Sequence, residues 1–215
     1  MSQIDLFAPP PRLTRKEAIE ILTPHLGHNL RELSDQFGLS RSGLPVDHKG
    51  WAGHTVEKLF GQSPNNDHGA DFGEWELKVI AFLQKEAHLE VKSQLTLTMV
   101  QPRELERTPF DESYLWLKTQ KMLIVGRLYT QIEEYHSPLI GYASFDASEQ
   151  LKQALAQEYE SLQWLLQSQG VSALKDFQGH YLGLHLKKAT ERGWSFVAQR
   201  PLMNQMLASF CSPTF

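Results

Sequence analysis

The chain has 215 residues, of which 41% are hydrophobic and 21% are charged, and its formal net charge at pH 7 is −4. This is the composition of an ordinary globular protein, and it excludes a protein that coats nucleic acid through bulk positive charge. A local basic surface remains possible. The length suits one large domain or two closely packed lobes, and no linker rich in Pro, Gly and Ser divides the chain.

The chain carries no sequence signal for a membrane or for secretion. No apolar run approaches the length of a membrane span, and the N-terminal residues lack the apolar core of a signal peptide. Cys211 is the only cysteine, so an internal disulfide is impossible. We therefore expect a soluble cytoplasmic protein.

The N-terminal part of the chain is predicted to be helical. Thr14 is a plausible N-cap, and Glu17 three residues later completes a capping-box pattern, which predicts a helix over about 15–26. Two further short helices are indicated within 29–40 and 48–62, where apolar residues recur at helical spacing and a glycine follows.

Strand patterns dominate the middle of the chain, and helical patterns return after it. The predicted strands cover 71–79, 87–100, 121–129, 138–145 and 180–189. The predicted helices cover residues around 112–119, then 147–169 and 202–210, and 101–111 reads as a loop. This order favours an α/β or α+β fold with a mixed sheet.

The strand pattern at 71–79, DFGEWELKV, contains four charged residues. Side chains two residues apart in a strand point to the same face, so Glu76 and Lys78 share one face and their apolar neighbours share the other. A bend near Gly73 would return the carboxylate of Asp71 to Glu76. The pattern thus predicts two carboxylates and a lysine at one point of a sheet.

Two neighbouring carboxylates repel each other, and a divalent cation relieves that repulsion. Mg²⁺ prefers oxygen ligands and commonly binds one or two carboxylates together with waters and phosphates. A lysine beside it could steady an attacking water or the charge that develops on phosphorus. The pattern is therefore typical of metal-dependent phosphodiester cleavage. By itself the pattern is weak, and a solvated strand face with one cross-face ion pair is the more common explanation for it.

Three segments in order extend this pattern: KGWAGHTVEKLFG, ADFGEWELKV and FDESYLWLKTQKMLIV. This order resembles the MutH family of DNA endonucleases, which includes the strand-nicking enzyme of mismatch repair and related type II restriction enzymes. The resemblance covers roughly 14–126 well and the remainder loosely. The joined blocks are more specific than either block alone.

The resemblance implies functional residues by position. The helix carboxylate of the family falls on Glu57, its metal-binding pair on Asp71 and Glu76, and its catalytic lysine on Lys78. The backbone carbonyl of Leu77 corresponds to a further metal ligand. The implied cofactor is Mg²⁺, for which Mn²⁺ could substitute.

Two assignments keep an alternative. A later catalytic lysine falls on Lys118, with Lys121 as the alternative if the alignment shifts. The spacing from Asp71 to Glu76 is shorter than in the mismatch-repair branch, so Asp67 is a second candidate for the metal aspartate.

The segment that would recognise DNA departs from the mismatch-repair branch. Here the chain has LHLKKA, with His185, Lys187 and Lys188, and Arg200 adds a positive charge further on. In a strand, His185 and Lys187 would share a polar face, so we expect Lys187 to read a base and Lys188 to contact phosphate or solvent. This departure leaves specificity for GATC open.

The resemblance implies a restriction-endonuclease-like fold, with a five-stranded mixed sheet flanked by helices. We expect one domain, residues 1–215, with a helical and catalytic lobe over about 1–145 and a DNA-recognition lobe over about 146–215, and we expect the two lobes to form a cleft for duplex DNA. The implied reaction is hydrolysis of duplex DNA to 5′-phosphate ends, with mismatch-repair proteins as partners if the repair branch applies. A type II restriction enzyme cutting both strands and a catalytically inactive DNA-binding protein are the alternatives.

Overall fold

The computed structural model describes residues 13–39, 50–62, 69–86, 88–130, 136–186 and 193–212. Its N-terminal part contains the helices α1 (Arg15–Leu22), α2 (Leu30–Gln36) and α3 (Trp51–Leu59). Thr14 and Glu17 form the predicted capping box at the start of α1. The helix ends earlier than predicted, because Pro24 lies in a 3₁₀ turn that follows it.

The described strands form two sheets. They are β1 (Glu76–Gln84), β2 (Leu89–Val91), β3 (Thr96–Met99), β4 (Lys121–Leu128), β5 (Leu139–Asp146), β6 (Leu182–Leu186) and β7 (Trp194–Ala198). A four-stranded sheet has the order β2-β1-β4-β5, and a three-stranded sheet has the order β3-β7-β6. The strands β1 and β4 are parallel, and the other pairs are antiparallel. The expectation of a single five-stranded sheet is therefore wrong, although the predicted mixed sheet is present.

The remaining helices flank these sheets. They are α4 (Pro102–Arg107), α5 (Tyr114–Thr119), α6 (Glu149–Gln169) and α7 (Arg200–Met206). The long helix α6 and the strands β4 and β5 lie where the sequence predicted them. The α/β class, with a mixed sheet flanked by helices, is confirmed by this arrangement.

The long strand predicted over 87–100 is wrong. The chain there forms β2 and β3, which belong to different sheets because β2 pairs with the end of β1 and β3 pairs with β7. The predicted loop over 101–111 contains α4. The strand β7 was not predicted, and its central position in the three-stranded sheet depends on pairing with segments far away in sequence.

Two apolar clusters lie on opposite faces of the four-stranded sheet. One cluster contains Leu77 from β1 and packs against α1, α2 and α3. The other contains Ile80 and Phe82 from β1 and packs against α6. Burying one such side chain stabilises the fold by about 1.5–3 kcal/mol. Since Glu76 and Lys78 alternate with Leu77, they lie at the start of the face that Ile80 and Phe82 continue.

Among the residues that the structure describes, no helix combines the length and the apolar character needed to cross a membrane.

Candidate active site

The charged stretch begins as a turn and becomes a strand only at Glu76. The N–H of Gly73 donates to the carbonyl of Ala70 at 2.9 Å, and the N–H of Phe72 donates to the carbonyl of Trp75 at 3.1 Å. Gly73 has a φ of 78°, a left-handed conformation that glycine adopts without strain. The strand predicted from residue 71 is therefore wrong at its start, because this turn occupies its first residues.

The turn brings Asp71 next to Glu76, as the sequence predicted. The backbone N–H of Asp71 donates to Oε2 of Glu76 at 3.2 Å. The N–H of Leu77 donates in turn to Oδ2 of Asp71 at 3.3 Å. The stacked rings of Phe72 and Trp75, with centroids 4.1 Å apart, lie under the turn. Both carboxylates are thus positioned by backbone groups as well as by side chains.

Two lysines converge on the carboxylate of Glu76, whose side chain is 1% exposed. Nζ of Lys78 donates to Oε1 at 2.5 Å. Nζ of Lys118 lies 3.2 Å from Oε1 and 3.1 Å from Oε2, and it is 3.8 Å from Oδ1 of Asp71. A buried carboxylate needs such partners, because burying an unpaired charge costs on the order of several kcal/mol.

Helix α5 places Lys118 at this point. The hydroxyl of Ser113 accepts from the N–H of Trp116 at 3.1 Å and caps the helix. Glu104 accepts from the N–H of Tyr114 at 2.9 Å and ties the same end to α4. The alternative residue, Lys121, is exposed at the start of β4. Of these two lysines, Lys118 is the one that contacts the carboxylates of Glu76 and Asp71.

The environment of Asp71 raises the pKa of its carboxyl group. Burial is the largest cause, and the negative charge of Glu76 adds to it. The positive charges of Lys118 and Lys78, and the hydrogen bond from Leu77, lower the pKa but do not cancel the rise. Ionisation of Asp71 beside Glu76 thus has an electrostatic cost that a cation would relieve.

The donor set fits the divalent metal that the resemblance implies. Asp71 and Glu76 offer carboxylate oxygens on adjoining backbone, and Mg²⁺ commonly binds one or two carboxylates and keeps several waters. Within the described ranges, no group of three or more His, Cys, Asp or Glu side chains could hold a metal ion. The backbone carbonyl of Leu77, waters and substrate phosphate would supply the remaining ligands.

Glu57 lies on α3 and is joined to a residue that the sequence analysis missed. Nδ1 of His54 is 3.1 Å from Oε2 of Glu57, one helical turn away. The ring of Phe60, at the end of the same helix, packs edge-on against Phe72 and Trp75 beside the turn. The spacing of three residues between His54 and Glu57 was the available signal, since such residues are neighbours on a helix surface.

The two predicted DNA-contacting residues that the structure describes, His185 and Arg200, do not lie together. His185 is exposed near the end of β6, opposite Ser195. Arg200 begins α7 just after β7, at the other end of the β6–β7 pair, where Leu182 is opposite Ala198. Lys187 and Lys188 lie outside the described residues, and so does Asp67.

The apolar row of β6 runs from the core to the surface. Leu182 is fully buried, whereas Leu186 is 44% exposed. Burial decreases steadily along β6 and does not alternate between its two faces, so it does not test the predicted placement of the leucines and His185 on opposite faces.

Comparison with known proteins adds a family match. Residues 60–158 match the family model described as DNA mismatch repair enzyme MutH. Among solved structures, the chain is similar to one titled "Restriction endonuclease MvaI-cognate DNA substrate complex", with 12% identity, coverage of 93% of this chain and 99% of that chain, and a TM-score of 0.42. No curated protein sequence matches the chain.

The family match covers the four charged residues that converge at the start of β1. It includes Asp71, Glu76, Lys78 and Lys118, whereas Glu57 lies just outside it. Over residues 60–158 this match confirms the resemblance to the MutH family that the sequence motifs carry.

Proposed function

We propose that the protein is a Mg²⁺-dependent, sequence-specific DNA endonuclease that hydrolyses phosphodiester bonds in duplex DNA, similar to the nicking enzyme MutH. The observation that carries the proposal is the convergence of Asp71, Glu76, Lys78 and Lys118 at the start of β1. The family match over 60–158 supports the same class of reaction.

The residues divide into metal ligands and positively charged groups. Asp71, Glu76 and the carbonyl of Leu77 would hold the metal, which supplies charge stabilisation and an activated water. Lys78 lies at the open end of the same strand face, 19% exposed, where its ammonium would stabilise the charge that develops on the phosphate. Glu57, held by His54, would orient the attacking water or the phosphate.

Lys118 has a different position from Lys78. It contacts both carboxylates and is only 13% exposed. Its positive charge offsets the repulsion between the carboxylates of Asp71 and Glu76. We propose that it acts with Lys78 on the scissile phosphate.

DNA recognition is assigned to the C-terminal lobe, over about 146–215. We propose that His185 and Lys187 read base edges and that Lys188 and Arg200 contact phosphates. Mismatch-repair proteins would be partners in the repair branch.

Supercoiled plasmids with different adenine methylation, digested with Mg²⁺, Mn²⁺, Ca²⁺ or excess chelator, test the function. We expect cleavage with Mg²⁺ and Mn²⁺, and binding without cleavage in Ca²⁺, because calcium prefers larger and looser coordination. Nicked circles would indicate a repair-type nickase. Full activity in excess chelator would refute the metal mechanism.

A type II restriction enzyme is the second candidate. Two observations favour it: Asp71 and Glu76 are only five residues apart, and LHLKKA replaces the recognition segment of the repair branch. Such an enzyme would linearise the plasmid in the same digest. Duplex binding without any Mg²⁺-dependent cleavage would instead identify a catalytically inactive DNA-binding protein.

A further inference from the structure

A carboxylate on α6 accepts hydrogen bonds from three consecutive backbone N–H groups. Oε1 of Glu158 accepts from His180 at 2.8 Å and from Tyr181 at 2.9 Å, and Oε2 accepts from Leu182 at 2.8 Å. Hydrogen bonds to an ionised acceptor are roughly twice as strong as neutral ones. Glu158 thereby ties the segment that leads into β6 to the long helix.

This contact fixes the point at which β6 begins. The strand starts at Leu182, so the N–H groups of His180 and Tyr181 precede its pairing with β7. A Cβ at Gly179 would lie 2.5 Å from Oε2 of Glu158 and 2.5 Å from the carbonyl oxygen of Leu182, so only glycine fits there. The carbonyl of Tyr181 accepts from Gln199 at 2.8 Å on the other side.

The helix that carries Glu158 is itself held firmly. Tyr159 and Leu155 on the neighbouring positions of α6 are fully buried in the larger core cluster. Glu158 is half-buried between this face and the solvent. Its carboxylate is therefore presented from a rigid element, which is what a positioning residue requires.

A small change in the orientation of the chain at residues 180–182 produces a larger displacement further along β6. His185 is three residues beyond Leu182, and a strand rises about 3.3 Å per residue, so a tilt of about 10° would move His185 by roughly 2 Å. Recognition residues must be held within about 0.5 Å of their productive geometry. The contact of Glu158 with residues 180–182 can therefore control where His185 lies relative to a base edge.

We propose that Glu158 is a positioning residue for DNA recognition, which sets the direction of β6 and thereby the discrimination between DNA sites without contacting DNA. The inference rests on the proposed function. It assigns to Glu158 a role in specificity rather than in the hydrolytic step, since Glu76 lies in β1, and β1 and β6 belong to different sheets.

The test compares Glu158→Gln with Glu160→Gln, which removes an exposed charge from the same helix. Glutamine keeps one acceptor but turns an N–H₂ group toward backbone donors. Three readouts are needed: hydrogen exchange of the amides at 180–182 in DNA-free protein, Ca²⁺-supported affinity for the cleaved site and for single-substituted duplexes, and kcat for the cleaved site with Mg²⁺.

For Glu158→Gln we expect faster exchange at these amides and about tenfold less discrimination between duplexes, with kcat on the best site within about threefold of wild type. Glu160→Gln should match wild type. Gly179→Ala, which displaces the same segment sterically, should reproduce the loss of discrimination. Glu158→Asp takes the place of Glu158→Gln if the latter does not fold.

The outcomes separate the inference from the proposed function. If Glu158→Gln speeds hydrogen exchange at 180–182 but leaves discrimination between duplexes unchanged, the proposed role in recognition is wrong. If hydrogen exchange is unchanged, Glu158 does not hold residues 180–182 in place. If wild-type protein neither binds nor cuts duplex DNA, the proposed function fails and the role in recognition fails with it, while hydrogen exchange still reports whether Glu158 holds residues 180–182 in place.

Discussion

Lys118 and Glu76 are 42 residues apart in sequence, yet Nζ of Lys118 lies within hydrogen-bonding distance of both carboxylate oxygens of Glu76, at 3.1 and 3.2 Å. Lys78 reaches the same carboxylate from two residues away. One buried carboxylate therefore has a local cationic partner and a distant one. The local partner follows from strand alternation, whereas the distant partner depends on how α5 packs beside β1 and β4.

The contact of Lys118 distinguishes it from the alternative residue, Lys121. We expect Lys118→Ala to reduce kcat for plasmid cleavage by about 10²–10³-fold, the typical effect of removing one charge-stabilising group. Lys121→Ala removes an exposed lysine three residues away and should stay within about twofold of wild type. Equal losses in both variants would contradict the assignment.

The shared face of Glu76 and Lys78 predicts that both are needed for cleavage. Glu76→Gln and Lys78→Ala should lose cleavage by at least about 10²-fold while still binding duplex DNA in Ca²⁺. Glu74→Gln is the matched control, because Glu74 is an exposed carboxylate in the same stretch. Circular dichroism checks folding. Near wild-type cleavage by either site variant would refute the site.

Glu104 gives a prediction for stability against pH that is independent of metal. Burial raises the pKa of its carboxyl group, and the hydrogen bond from Tyr114 only partly opposes this rise. Between about pH 4, near the pKa of the unfolded carboxyl group, and the raised pKa of the folded state, the native state therefore binds more protons than the unfolded state. In this window, Glu104 makes the free energy of unfolding fall as the pH rises.

Glu104→Gln removes this titration and keeps an acceptor for Tyr114. We expect the variant to gain stability relative to wild type as the pH rises through the same window, and the difference to level off above it. Urea unfolding at several pH values measures this. A difference that does not change with pH would show that Glu104 titrates alike in the folded and unfolded chain.

Lys187 and Lys188 are predicted to have different roles. Lys187→Ala should cost about 1–3 kcal/mol of discrimination at one base pair, whereas Lys188→Ala should weaken binding to all sequences alike and flatten its dependence on salt. Cleavage of a library with randomised sites distinguishes these effects. If Lys188→Ala alone relaxes specificity, the predicted faces of this segment are exchanged.

The sequence alone was sufficient where neighbouring residues decide the structure. The capping box of Thr14 and Glu17, the apolar stripe of α6 and the bend at Gly73 each depend on contacts within a few residues, and the structure contains all three. Alternation along β1 likewise places Glu76 and Lys78 on one face. Hydrogen-bonding and rotamer preferences of this kind are carried by the local chain itself.

Only the tertiary structure decided the contacts between distant segments. Residues 87–100 have one continuous strand pattern, but β2 and β3 enter different sheets because their pairing partners, β1 and β7, lie apart. No sequence motif marks the hydrogen bonds from residues 180–182 to Glu158, because a surface glutamate gives no sequence signal for backbone N–H groups that the fold brings to it from a distant segment. Such contacts depend on loop closure and on packing over the whole chain, which periodicity does not encode.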